Sequence, residues 1–161
     1  MIEPREMVEA VIAGRRTLVV GVGSPQLADG GVGPYVAGRL ARSHPERVLD
    51  AGESPENFLG PMLSAAPDVV LFVDAADHGS TPGAWCFGPM RDFELRPACA
   101  HDASLRVLTS LLEAEGVRCW VIGIQPLCLE PGREMSPDVL ASGRRLARLL
   151  GHVMAMEPAD A

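Results

Sequence analysis

The stretch Thr17-Leu18-Val19-Val20-Gly21-Val22-Gly23 decides the fold of this chain. It is a short, continuous apolar run broken only by glycine. That pattern is typical of a strand buried on both faces, as in a parallel sheet. After a long loop, Val32, Val36 and Leu40 recur at helical spacing. A buried strand followed by such a helix is the repeating unit of α/β proteins.

The rest of the chain continues this alternation. Ser54, Asp102 and Ser136 are predicted to be helix N-caps, because each precedes residues that favour a first helical turn. One of the strand-like runs follows its predecessor without an intervening helix, so we expect one antiparallel strand. The further strand-like runs are 47–50, 69–73, 84–87 and 119–124. We therefore predict an α/β fold, a three-layer αβα sandwich with a five-stranded, mostly parallel sheet.

The length of 161 residues predicts a single domain over 1–161, with a helical lead-in at 1–16 and a frayed tail at 155–161. No apolar run approaches the roughly 18 residues needed to span a bilayer. Acidic residues near the N-terminus are atypical of a signal peptide. We therefore expect a cytoplasmic protein without a membrane partner.

The formal net charge is −7, and all 14 basic residues are arginines. The lack of lysine excludes a P-loop lysine and Schiff-base chemistry. An acidic chain without an arginine-rich stripe is a poor match for a nucleic-acid backbone, so no nucleic-acid partner is expected. The loop after the first strand carries Gln26 where a dinucleotide fingerprint needs glycine, so it does not favour nucleotide binding.

The four cysteines form no CxxC pair, which argues against a zinc ribbon or a redox motif. Cys86 and Cys119 fall in apolar runs and are expected to be buried and unpaired. Cys99 lies two residues from His101, and a Cys–His nucleophile pair there is one alternative.

Two polar residues lie where ligands bind in open α/β sheets, beyond the carboxyl ends of the strands. Asp74 directly follows an apolar strand, and His101 precedes a predicted helix. An aspartate and a histidine from separate loops, with one more carboxylate, would suit a divalent metal ion. The alternatives are an aspartate that caps a turn and a histidine exposed to solvent.

The whole chain resembles one family, the nickel–iron hydrogenase maturation endopeptidases, over roughly residues 17–151. Six pieces occur in the family's order and at family-like spacing. They are Leu18–Gly23 with the loop containing Asp29, Gly31 and Gly33-Pro34; Asp50-Ala51-Gly52-Glu53-Ser54-Pro55-Glu56-Asn57-Phe58; Asp74-Ala75-Ala76; His101; Ile122-Gly123-Ile124-Gln125-Pro126; and Met135-Ser136-Pro137. The Pro-Glu-Asn-Phe and Gly-Ile-Gln-Pro pieces are most similar to the branch that serves hydrogenase 3 and the coenzyme-F420-type hydrogenases.

The resemblance implies an endopeptidase with a twisted five-stranded sheet. Such a protein removes the C-terminal extension of a nickel–iron hydrogenase large-subunit precursor after nickel insertion. It implies no permanently bound cofactor, because the nickel belongs to the precursor, although another divalent metal can occupy the site in crystals. The implied partner is that precursor, and we expect the protein to be a monomer.

The resemblance also implies a three-residue site: an acid in the first loop, an aspartate after the third strand and a histidine before a helix. Asp74 and His101 match the last two positions and are the expected catalytic residues of a metal-dependent, aspartic-type peptidase. Gly30 stands at the usual acidic ligand position, which leaves Asp29 as the nearest substitute. Glycine at 30 and 31 would allow the loop to turn. The predicted metal ligands are therefore Asp29, Asp74 and His101.

Two other functions compete with this interpretation. The glycine at position 30 favours a catalytically weak homologue that acts as a precursor- or metal-binding checkpoint protein. The scaffold would also suit an unrelated small-molecule enzyme, since a fold does not determine a function.

Overall fold

The computed structural model describes residues 4–93 and 102–156, with no account of the side chain of Asp102. Five strands form one sheet in the order β2-β1-β3-β5-β4. Neighbouring strands are parallel except β4, which pairs antiparallel with β5 at the edge. The strands are β1 (Thr17–Val22), β2 (Val48–Gly52), β3 (Val69–Ala75), β4 (Trp85–Pro89) and β5 (Arg118–Ile124). The predicted five-stranded, mostly parallel sheet with one antiparallel strand is confirmed.

Five α-helices accompany the sheet in the part of the chain that the structure describes. They are α1 (Pro4–Ile12), α2 (Val32–Leu40), α3 (Leu59–Ser64), α4 (Asp102–Ala114) and α5 (Pro137–Ala155). Short 3-10 turns at Ala28–Gly31 and Pro55–Phe58 precede α2 and α3. The predicted helical lead-in is α1, and Gly14 lies just beyond it with a φ of +69°.

The core consists of two hydrophobic clusters on opposite faces of the sheet. Along β3, Leu71 and Val73 join the cluster beneath α1, α2 and α5. Val70 and Phe72 join the cluster beneath α3 and α4. All seven residues of β3 are buried, as expected of a central strand covered by helices on both faces. This arrangement is the predicted three-layer αβα sandwich.

Ser54 and Ser136 stand at N-cap positions, as predicted, but neither makes a side-chain capping hydrogen bond. Ser54 precedes a 3-10 turn rather than α3 itself. The Ser136 hydroxyl donates to Oδ2 of Asp29 at 2.9 Å, so a tertiary contact has replaced local capping at this serine.

The prediction of burial holds for Cys119, whereas Cys86 is only half-buried and its thiol donates to the Gly123 carbonyl at 3.5 Å. No two cysteines within the described residues form a disulfide. Burial raises the pKa of the Cys119 thiol to about 12, and Glu113 adds to this effect. A thiol of this kind is a poor nucleophile at neutral pH. Cys99 lies outside the described residues.

Within residues 4–93 and 102–156, no helix combines the length and the apolar content required to cross a membrane.

Candidate functional site

The candidate site lies at the carboxyl edge of the sheet, where the segments following β1, β3 and β5 meet. These three strands are parallel neighbours, so their carboxyl ends share one edge. Two buried polar side chains connect the segments. Asp29 joins the loop after β1 to the segment after β5, and Gln125 joins the end of β5 to the loop after β3.

Asp29 is fully buried, and its carboxylate accepts four hydrogen bonds. Oδ2 accepts from the backbone N–H groups of Leu127 and Cys128 at 2.8 and 2.9 Å, and from the Ser136 hydroxyl. Oδ1 accepts from the backbone N–H of Ser136 at 2.6 Å. In return, the N–H of Asp29 donates to the Cys128 carbonyl at 3.0 Å. Both carboxylate oxygens are thus used to hold the loop after β1 against the segment 127–136.

The pKa of Asp29 reflects this environment. Burial by itself raises the pKa, because it penalises the charged form. The hydrogen bonds from Ser136, Cys128 and Leu127 together outweigh burial and hold the pKa below its ordinary value. Asp29 is therefore an ionised carboxylate whose charge is stabilised by N–H and O–H donors of the protein itself.

This geometry disagrees with the expectation that Asp29 substitutes for the acid missing at position 30. A metal ligand needs an oxygen lone pair directed at the ion, whereas the Asp29 oxygens face the 127–136 segment. The flexibility that Gly30 and Gly31 give the loop does not redirect the Asp29 carboxylate. Its four buried hydrogen bonds favour the observed orientation.

Gly30 is itself buried in a confined space. A Cβ at this position would lie 3.1 Å from Cβ of Leu27, 3.3 Å from the Ser24 carbonyl oxygen and 3.8 Å from Cδ2 of Leu129. A Cβ at position 30 therefore fits only if Leu27 and the backbone of Ser24 shift by a few tenths of an ångström.

Asp74 is the penultimate residue of β3, and only 3% of its surface is exposed. Side chains alternate along a strand, so it lies on the same face as Phe72, the face covered by α3 and α4. The glycine loop after β1 passes directly beside it. A Cβ on Gly23, whose φ is +137°, would collide with the Gly30 carbonyl and lie 3.4 Å from Oδ1 of Asp74. Only glycine permits this approach, which brings Asp74 and the backbone of Gly30 to the same point of the edge.

The predicted partner of Asp74, His101, lies outside the described residues, as does the alternative Cys99–His101 pair. The next residue, Asp102, begins α4. Because α4 connects to β5, which is parallel to β3, the helix starts at the carboxyl edge of the sheet. The start of α4 therefore lies at the same edge as Asp74.

Sequence reasoning missed the role of Gln125, which is 7% exposed. Its Oε1 accepts from the N–H groups of His78 and Ser80 at 2.9 and 3.2 Å. Its Nε2 donates to Oδ1 of Asp77 and to the Pro126 carbonyl, both at 3.2 Å. The sequence does carry a signal for this role, because Gln125 is a polar residue directly after a buried strand and belongs to one of the six family-like pieces.

No group of three or more His, Cys, Asp or Glu side chains arranged for a metal ion occurs in residues 4–93 and 102–156. Asp74 supplies one carboxylate at the edge, Gly30 supplies no side-chain ligand, and Asp29 is held elsewhere by its hydrogen bonds. The described residues by themselves therefore do not provide a set of ligands for a resident metal ion.

A cavity of about 450 Å³ lies away from this edge. It lies where β5 begins and is lined by Glu113, Arg118 and Trp120, among others. It contains none of the predicted site residues. The polar connections at the carboxyl edge, rather than cavity size, identify the candidate site.

The fold and the site define an α/β protein of the αβα sandwich class, with its functional edge at the carboxyl ends of parallel strands. Comparison with known proteins makes this more specific. The model of the HycI hydrogenase maturation protease family matches residues 34–151. The hydrogenase 3 maturation protease of Escherichia coli K12 is 31% identical over 108 residues, covering 65% of this chain and 69% of that protein. The hydrogenase expression/formation protein HupD of Rhodobacter capsulatus is 31% identical over 138 residues, covering 77% and 64%.

Solved structures agree with this result. The [NiFe] hydrogenase maturation protease HycI of Thermococcus kodakarensis has a TM-score of 0.83 and 29% identity, covering 92% of this chain and 99% of that one. The endopeptidase HycI of Escherichia coli has a TM-score of 0.75 and 26% identity, covering 84% and 89%. This chain belongs to the hydrogenase maturation protease family. The family predicted from the sequence is confirmed, which leaves the unrelated small-molecule enzyme without support.

Proposed function

We propose that this protein is an endopeptidase that removes the C-terminal extension of a nickel–iron hydrogenase large-subunit precursor after nickel insertion. The observation that carries this proposal is family membership over residues 34–151, which include Asp74 and His101. The carboxyl edge supports it, since Asp74 and the start of α4 lie on that edge beside the glycine loop.

Within this function, Asp74 and His101 are proposed to contact the nickel ion that the precursor carries. A carboxylate and a neutral imidazole are both suitable ligands for nickel. The nickel would supply Lewis acidity at the scissile carbonyl. Asp74 would supply negative charge from a buried position that hinders competing contacts with solvent. The proposed enzyme is therefore a peptidase that depends on the metal of its substrate and uses an aspartate at its site.

The direct test is incubation of the purified protein with nickel-loaded precursor, followed by intact-mass measurement. We expect two products whose masses together equal that of the precursor plus one water. Asp74→Asn keeps the shape of the side chain but removes its charge, and should slow cleavage by at least about 100-fold. The control is Asp92→Asn, at an exposed acid, which should leave the rate unchanged. An uncleaved precursor in the presence of wild-type protein would contradict the proposal.

A second candidate function is a checkpoint protein that binds the precursor or its metal without cutting. It is favoured by one observation: Gly30 lacks the usual acid, and the neighbouring Asp29 is fully occupied by hydrogen bonds. Binding of nickel-loaded precursor without cleavage would support this alternative.

Gly30→Asp tests whether the missing acid limits metal affinity. A Cβ at this position requires its neighbours to shift by a few tenths of an ångström, and we expect calorimetry to show tighter nickel binding by the variant. His101→Ala should weaken nickel binding. If neither change alters the affinity, the metal contacts lie elsewhere.

A further inference from the structure

Two exposed leucines lie on the segment after β5, beside the candidate site. Leu127 is 67% exposed and Leu129 is 38% exposed, in the sequence Gln125-Pro126-Leu127-Cys128-Leu129. Leu129 borders the glycine loop, since its Cδ2 lies 3.8 Å from the position of a Cβ on Gly30. Leu129 therefore borders the candidate site, and Leu127 is carried on the same segment, where its backbone is bonded to Asp29.

The backbone that carries the leucines is held in place by the rest of the protein. The N–H groups of Leu127 and Cys128 donate to the buried carboxylate of Asp29. Further along, the N–H of Gly132 donates to the Gln26 carbonyl at 3.0 Å. Because the fold has already ordered this backbone, binding of a partner to the leucines does not incur the conformational-entropy cost of ordering it.

The charges next to the leucines form a pair. Glu130 Oε2 lies 2.6 Å from Nε of Arg133, although both side chains are largely exposed. This pairing offsets one of the two exposed acids of the stretch, the other being Glu134. The feature of this surface that favours an apolar segment is therefore the exposed leucines themselves.

We propose that Leu127 and Leu129 form a docking surface for an uncharged apolar segment of the hydrogenase precursor, next to the bond that is cut. This proposal rests on the proposed function, because it takes the precursor as the partner. We infer this occupant because the leucine-bearing segment adjoins the glycine loop, and that loop approaches Asp74. Asp29 acts in this proposal as a positioning residue that holds the leucine-bearing segment.

The test compares the double variant Leu127→Ser/Leu129→Ser with the wild-type protein, using nickel-loaded precursor. Kd is measured by calorimetry, and KM and kcat by intact mass where cleavage occurs. The matched control is Leu111→Ser on α4, where the leucine is 48% exposed. Leu127→Met keeps an apolar side chain of similar volume and should behave as wild type. Thermal unfolding of each variant separates docking from stability.

We expect the double variant to raise Kd and KM about tenfold or more, as loss of buried leucine contacts would do. Its kcat and its unfolding temperature should stay close to those of the wild-type protein. Unchanged Kd and KM, or an equal effect of Leu111→Ser, would overturn the docking proposal. So would a wild-type dimer that the double variant makes monomeric, because the occupant would then be a second copy of this chain.

These outcomes separate the docking proposal from the proposed function. If wild-type protein cleaves the precursor and the double variant does so with the same KM, only the docking proposal fails. If wild-type protein binds the precursor without cutting it, the endopeptidase function fails, and Kd still tests docking. If it does not bind the precursor at all, both proposals fail.

Discussion

The loop after β1 and the loop after β3 are fixed to the same part of the chain by different chemistry. The first is held by the carboxylate of Asp29, which accepts four hydrogen bonds while fully buried. The second is held by the neutral amide of Gln125, which both accepts and donates. Asp74 lies between these two loops, on the central strand.

Because the two attachments differ in charge, the two loops should respond differently to substitution and to pH. A buried carboxylate is stable only while its donors surround it, and hydrogen bonds to a charged group are stronger than those to a neutral one. An amide has no charge to lose in the accessible pH range. The loop after β1 should therefore be the more sensitive of the two to loss of its buried side chain, and protonation of Asp29 should weaken its attachment directly.

The largest effect is expected from Asp29→Asn. The amide nitrogen of asparagine would face N–H donors, and several buried groups would lose their acceptor. We expect the free energy of unfolding to fall by about 3 kcal/mol, measured by urea denaturation. Asp138→Asn, at an exposed acid near Ser136, is the control and should cost only a few tenths of a kcal/mol. Equal costs for the two variants would show that the Asp29 bonds do not stabilise the fold.

The stabilisation by Asp29 should also depend on pH. The pKa of Asp29 in the folded protein lies below the ordinary value of 3.8. Its stabilising effect is therefore fully present above that value and is lost as the pH falls through the folded-state pKa. We expect the stability difference between wild type and Asp29→Asn to shrink when urea denaturation is repeated below pH 4. A difference that stays constant down to pH 2 would contradict this prediction.

A smaller effect is expected from Gln125→Met, which keeps the length of the side chain. The N–H groups of His78 and Ser80 would lose their shared acceptor, at a cost of about 2 kcal/mol. Faster hydrogen exchange at these two amides would report the loosened loop. Gln26→Met, at an exposed position, serves as the control.

The smallest effect is expected from Ser136→Ala. It removes the hydroxyl that donates to Asp29 but leaves the backbone N–H bond at 2.6 Å. We expect a loss of about 1 kcal/mol in the free energy of unfolding. If this variant lost as much stability as Asp29→Asn, the hydroxyl rather than the set of backbone donors would be the main partner of the carboxylate.

Much of the fold was predictable because its signals are local. The apolar run at Thr17–Val22 gave β1 with its observed bounds, and the run at 69–73 gave the core of β3, which continues through Asp74 to Ala75. The extension arises because pairing with β5 continues to the end of the strand. A ladder of this kind follows from the partner strand and leaves no mark in the apolar pattern.

The candidate site was predictable only in part. Asp74 was identified by its place after an apolar run, and the structure places it, buried, at the carboxyl edge. Asp29 was identified as well, but with the wrong orientation, since its partners lie 98 to 107 residues further along the chain. Gln125 received no role, because its partners follow a different strand.

The sequence by itself determined the alternation of strands and helices, the family and the absence of an acid at position 30. These properties depend on the identity and spacing of residues within short stretches. The direction of the Asp29 carboxylate, the contacts of Gln125 and the position of Leu129 beside the glycine loop depend instead on the tertiary structure. The reason is physical: a buried polar group takes the orientation in which its hydrogen bonds are satisfied, and those partners come together only when distant segments fold onto one sheet edge.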